Sequence, residues 1–315
     1  MSGAVPVGLR PLQGAARRLN EQHKGRVLVH LLIGFMRLIA RWPLPVVRGL
    51  GAMLGVLLWL VASRRRHIAD VNLRLCFPEW RDAQRRRQVF RHFVAFGQSV
   101  LDRAWLWHAP EAVVRARLHW QGHEQALTAP GPLVMFAPHF VGLDAGGMAV
   151  SMKLAPGPAA FIFVAQSNPV VEQWVRSGRE RMGNARPYFR HEGMRKILAG
   201  LKRGEPLHLS PDMDFNRDES IFVPFMGVQA ATVPSLSRLA RVAGARVVPV
   251  VTRMTPQGYT IEVHEPLADF PTEDLTADTA RMNELLAGYI RTMPEQYHWV
   301  HRRFKTRPEG EPGVY

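Results

Sequence analysis

Between Arg48 and the arginine triplet Arg64, Arg65 and Arg66 lie fifteen residues, 49–63, without a single charge. As one helix they reach only about 22 Å, short of the roughly 30 Å hydrocarbon core of a bilayer. Just upstream, Leu28, Leu31, Leu32, Phe35, Leu38 and Ile39 recur at helical spacing and form one apolar stripe. Arg26, His30, Arg37 and Arg41 fall on the opposite side, and Pro43 and Pro45 interrupt the pattern. An apolar stripe backed by cations is the form of a helix lying in a lipid interface. The two runs together predict a membrane-embedded or re-entrant hairpin, or one tight span helped by snorkelling arginines. The alternative is a buried helix pair in a soluble protein, which leaves the arginine collar unexplained. The apolar region begins too late, and continues into basic sequence, to take the form of a cleavable signal peptide.

The charge is unevenly spread. Residues 1–110 hold 18 Lys/Arg against 5 Asp/Glu, a net of +13, whereas residues 111–315 carry only +2. Nearly all 41 basic residues are arginine, which binds phosphates bidentately. So basic a chain raises nucleic-acid binding, but no zinc-finger spacing, RNP aromatics or helix-turn-helix accompanies the charge. Membrane association accounts better for arginines placed beside apolar runs. With 47 % apolar and 21 % charged residues the chain can bury a sizeable core and is not disordered. Its one cysteine, Cys76, excludes a disulfide framework and any multi-thiolate zinc site, and fits a reducing, cytoplasm-facing location.

Residues 79–107 read as one long helix. Beyond Pro110, short apolar runs alternate with helical stretches. Strands are predicted at 132–137, 160–165, 206–210, 246–253 and 258–264, and helices at 142–153, 170–183, 193–203, 233–243 and 277–292. That alternation predicts an α/β fold with a mostly parallel sheet flanked by helices. The expected organisation is a helical membrane anchor over 1–66 and a catalytic α/β domain over 67–315.

Ligands of such sheets gather at the carboxyl ends of strands. The first apolar strand runs into Pro138-His139, and Asp144 follows in an H-x-x-x-x-D pattern. Chance supplies about 0.4 such matches in a chain of this composition, and His264 with Asp269 is a second one. Context separates them. His264 runs into Glu265-Pro266 and reads as a surface loop, whereas His139 stands where a strand turns into a helix. Five helical positions leave side chains about 140° apart, so His139 must sit on the turn for Asp144 to reach it. A histidine held by a carboxylate suits general-base chemistry. No G-x-S-x-G nucleophile motif is present, so a substrate hydroxyl is the economical choice of nucleophile. Gly142, Gly146 and Gly147 would let a bulky substrate approach the backbone.

These residues carry a resemblance. Pro138-His139 with Asp144, Asn168-Pro169, and the segment 210–214 (SPDMD) resemble the bacterial lipid A biosynthesis acyltransferases, within the wider lysophospholipid acyltransferase superfamily. So do 222–227 (FVPFMG), Ala230-Ala231-Thr232, Val248-Pro249, and above all 294–308 (PEQYHWVHRRFKTRP). The resemblance runs from the N-terminal apolar region almost to Tyr315. It implies transfer of a fatty acyl group from acyl carrier protein to a hydroxyl of a lipid A precursor. The implied location is the bacterial inner membrane with the catalytic domain facing the cytoplasm, with no cofactor and no metal. His139 and Asp144 are the implied catalytic pair. Gln166, Asn168, Arg190 and Asp212 are candidate substrate-binding residues. Similar proteins usually carry arginine where this chain has Gln166, and Arg186 or Arg190 could compensate. Residues 301–307 are expected to form a solvated basic surface or a contact for the acidic carrier, and Pro224 and Gly227 to shape a loop around the acyl chain. Three alternatives stand beside this reading: acylation of another glycerophospholipid or glycolipid, hydrolysis by the same His–Asp pair, and a non-enzymatic nucleic-acid-binding protein.

Overall fold

The computed structural model describes residues 27–189 and 193–315. Four helices come first: α1 (Val27–Ile39), α2 (Leu44–Val61), α3 (Ser63–Cys76) and α4 (Asp82–His108). The short α5 (Glu111–Arg115) leads into β1 (Leu118–Gly122). There follow β2 (Leu133–Phe136), α6 (Leu143–Leu154), β3 (Pro158–Phe163), α7 (Pro169–Arg179), β4 (Asn184–Phe189), α8 (Met194–Lys202) and β5 (Leu207–Leu209). After the hairpin β6 (Ile221–Phe225) and β7 (Val228–Thr232) come α9 (Ser235–Ala243), β8 (Arg246–Thr255), β9 (Gly258–Val263) and α10 (Leu275–Thr292).

Seven strands form one sheet in the order β1-β9-β8-β2-β5-β3-β4. All neighbours run parallel except β8 and β9, so the expected mostly parallel α/β sheet is what forms. The centre of the sheet is buried on both faces. Along β2, Val134 and Phe136 point into an apolar cluster with α3, α9 and α10, while Leu133 and Met135 point into another with α4 and α6. Every predicted strand and helix beyond Pro110 appears, within a few residues. The strands β1, β4, β6 and β7 were missed, because they are polar, proline-bearing or small-residue segments whose pairing comes from their neighbours. Pro224 and Gly227 belong to the β6–β7 hairpin and not to a loop. Its turn carries positive φ at both Met226 and Gly227, as a two-residue I′ turn requires. The hairpin is pinned by Asn283, whose amide donates to Pro224 O at 3.0 Å and Thr232 Oγ1 at 3.3 Å.

The N-terminal helices are built into the α/β body. The line between residues 66 and 67 falls inside α3, and α2 lies directly along α4. Gly51, Gly55 and Gly97 make that approach possible: a Cβ on Gly97 would sit 2.3 Å from Gly51 O. Arg48, inside α2, is buried, and its guanidinium donates to Asp102 of α4 at 3.0 Å and to Gly258 O at 2.8 Å. Asp102 also accepts from Tyr259 Oη at 2.7 Å and Trp105 Nε1 at 2.9 Å. Replacing Arg48 with Met should leave Asp102 as a buried, partly uncompensated anion, at a cost of about 3–5 kcal/mol. Thermal unfolding of the full chain checks this; an unchanged midpoint would contradict it.

Candidate active site

His139 follows β2 by three residues, and Asp212 follows β5 by three residues. The two strands are parallel neighbours, with Phe136 registered against Leu209. Equal extensions from a matched rung bring the two residues face to face. His139 Nδ1 lies 2.8 Å from Asp212 Oδ1, and the His139 backbone N–H donates to Oδ2 at 3.1 Å. The turn holding the histidine is fixed from the other side by the C-terminal segment. Phe140 bridges Tyr297, Val141 N–H donates to Gln296 O at 2.8 Å, and His298 N–H donates to His139 O at 3.0 Å.

Asp212 is fully buried. Burial alone would raise its carboxyl pKa, but His139, through charge and two hydrogen bonds, outweighs this and brings it down to about 2. An ionised Asp212 keeps the proton on Nδ1 and leaves Nε2 of His139 as the free acceptor. Two further imidazoles share the cavity wall and stay neutral. Burial, then the charge of Arg179, lowers His208 to about 4; burial, then His139, lowers His298 to about 3.

Asp144 does not pair with His139: among the described residues no hydrogen bond joins them. It lies in the first turn of α6, and its two oxygens are taken by two arginines. Arg103 Nε of α4 donates to Oδ2 at 2.7 Å, and Arg179 of α7 reaches Oδ1 at 2.7–2.8 Å. Burial opposes the ionised form, but the charges of Arg179 and Arg103 hold the Asp144 carboxyl well below the usual carboxylate range. Arg103 lies over Trp107 and Arg179 over Phe163, which fixes both guanidiniums. One carboxylate between two guanidiniums leaves this part of the wall with a net positive charge.

His139, Asp144, Arg103, Arg179 and Gln166 line one cavity of about 430 Å³, whose remaining wall is largely apolar, with Phe96, Phe161 and Ile197 among its side chains. That size and lining fit a lipid-like ligand with a few polar anchors. Gln166 sits at an exposed edge, its side chain donating to Val164 O at 3.2 Å. Asn168 is not in the wall. Its Oδ1 caps α7, accepting from Val170 and Val171 N–H at 2.9 and 3.3 Å. Arg190 lies outside the described residues. Arg186 is committed elsewhere, 2.5 Å from Glu205. The glycines after His139 serve packing: a Cβ on Gly142 or Gly146 would strike Thr252 of β8, and one on Gly147 would touch Phe161. His264 lies in a separate groove beside Tyr289, at 4.7 Å between ring centroids.

The 294–308 run packs behind the site, where His298 lines the cavity and Arg303 and Phe304 are interior, and only part of it, Lys305 above all, is exposed. Arg303 is buried and donates to Ala231 O and Thr232 Oγ1, each at 2.7 Å. Asn72 of α3 holds Trp299 O and His301 O, each at 2.7 Å. Asp214, two residues beyond Asp212, receives Thr306 N–H at 2.7 Å and its hydroxyl at 2.9 Å. Among described residues, no cluster of metal-binding side chains is present.

Comparison with known proteins finds a match over residues 16–306 to the family described as bacterial lipid A biosynthesis acyltransferase. The lipid A biosynthesis lauroyltransferase of Escherichia coli (strain K12) is 32 % identical over 91 % of this chain and 94 % of its own length. The palmitoleoyltransferase of the same organism is 31 % identical, covering 90 % and 92 %. Its myristoyltransferase is 32 % identical, covering 86 % and 83 %.

Because the Asp212 carboxyl has a lower pKa folded than unfolded, its contribution to stability is full above the unfolded value. That contribution is lost as pH falls from about 4 toward 2. Asp212→Asn should therefore flatten the acid limb of stability. Urea unfolding of the two proteins at about pH 6 and pH 3 measures it; an equally steep decline in both would contradict the assignment.

Proposed function

Since the chain belongs to the bacterial lipid A biosynthesis acyltransferases, we propose that it moves a fatty acyl group from an acyl carrier protein thioester to a hydroxyl of a lipid A precursor. The observation that carries the chemistry is the 2.8 Å bond from His139 to buried Asp212 at the wall of an apolar cavity. Nε2 of His139 accepts the proton of the acceptor hydroxyl as its oxygen attacks the thioester carbonyl. The C–S bond then breaks, and the imidazolium returns the proton to the leaving thiolate. Asp212 holds the ring in orientation and stabilises the imidazolium.

In this reading Asp144 acts through its arginines. It holds Arg103 and Arg179 where negative charge develops on the substrates. Two guanidiniums in the wall supply the cationic character that Gln166 does not. The donor's acyl chain lies along the apolar lining, with donor and acceptor bound together. Orientation of two bound reactants can then lower the barrier by about 7–11 kcal/mol. The enzyme works at the bacterial inner membrane with its catalytic body toward the cytoplasm, and needs no cofactor.

Two experiments test the reading. Mass spectrometry of lipid A from cells lacking the protein should show one acyl chain fewer, restored on re-expression. Unaltered lipid A, with a glycerophospholipid changed instead, would move the acceptor to that class. In vitro, His139→Ala should lose about 10²–10⁴ in kcat, and Asp212→Asn should lower kcat with little change in KM. Labelled donor without acceptor should leave no acyl group on the denatured protein. Rapid stoichiometric acylation would reassign His139 to a protein nucleophile, and acceptor-independent release of fatty acid at the full rate would make the enzyme a hydrolase.

A further inference from the structure

α2 is long and apolar enough to cross a membrane: its 18 residues extend about 27 Å. Its packing argues against that. Leu44, Val47, Arg48, Gly51 and Gly55 face the protein, and the two last press against the α4 backbone at Phe93 and Gln98. The same stretch of α4 supplies Phe96, Ser99 and Arg103 to the catalytic cavity. A spanning α2 would carry α4, and the cavity with it, into the bilayer core. α1 is likewise docked along one side. Ile33, Met36, Ile39 and Ala40 are buried, and Arg37 is near enough to His108, at the end of α4, to add to burial in lowering its pKa.

What the two helices leave outside is apolar. On α1, Leu28, Leu31, Leu32, Phe35 and Leu38 are exposed, Leu31 by 66 %. On α2, Met53, Leu57, Leu60 and Val61 are exposed, Met53 by 69 %. Exposed arginines stand by both stripes: Arg37 and Arg41 at the α1–α2 turn, Arg64 and Arg65 after α2. Trp42 is exposed at the α1–α2 turn, where an amphipathic ring suits the headgroup level. We infer that α1 and α2 lie in the plane of one leaflet of an anionic bilayer, apolar stripes in the acyl boundary and arginines on lipid phosphates, so that neither helix crosses the membrane.

The inference rests on the membrane location proposed above and adds its topology. Cys76, the only cysteine, is buried and its thiol pKa is pushed up, so it does not compete in labelling. Ser2→Cys, Arg41→Cys and Ser63→Cys are introduced singly into the full chain and probed with a membrane-impermeant maleimide. All three should react in inside-out inner-membrane vesicles and none in right-side-out vesicles. Any site reacting from the periplasmic side overturns the in-plane arrangement alone; a chain that fractionates as soluble overturns it together with the location. In parallel, the purified chain should float with phosphatidylglycerol-containing vesicles. Leu31→Glu, Leu38→Glu and Leu57→Glu combined should cut the bound fraction about tenfold, with the thermal midpoint and activity on detergent-dispersed substrate retained. Wild-type flotation of that variant would also overturn the proposal.

Discussion

One buried carboxylate, Asp102, ties the apolar helix α2 to the α/β body. It receives Arg48 from α2, Tyr259 from β9 and Trp105 from its own helix. An isolated ion at this depth would be costly, and only the complete set of donors makes it tolerable. The result is positional. α4 is held between α2 on one side and the cavity on the other, so the apolar outer face of α2 and the cavity lie on opposite sides of one helix. The distance from that outer face to His139 is then fixed by the fold.

The site shows how a parallel sheet makes a His–Asp pair. β2 and β5 are not adjacent in sequence, yet they are neighbours in register, so the residues three positions past each strand end must meet. His139 and Asp212 are those residues. The nearby Asp144 is diverted by geometry: on the first turn of α6 it faces α4 and α7, where Arg103 and Arg179 wait. The H-x-x-x-x-D spacing thus spans two separate pairings in one cavity, His139 with Asp212 and Asp144 with two arginines.

The C-terminal run 294–308 closes the arrangement. Its backbone fixes the His139 turn, Arg303 secures the β6–β7 hairpin, and Thr306 engages Asp214. Asp212 turns to His139, and Asp214, beyond a bend at Met213, turns to Thr306. The two carboxylates therefore join the His139 turn to the C-terminal run.

The sequence by itself determined the alternation of strands and helices, the N-terminal apolar runs with their arginines, His139 at a strand end, and the family. These follow from local periodicity and contiguous motifs, which a chain displays residue by residue. Only the tertiary structure decided that Asp212 and not Asp144 holds His139, that Asn168 caps a helix, and that Arg303 is interior. It also decided that the stripe of α1 faces outward while Ile33 and Met36 face in. Each of those depends on which strand lies beside which, and on which side of a helix finds a neighbour. Such pairings join residues tens to hundreds of positions apart, and no local pattern records them.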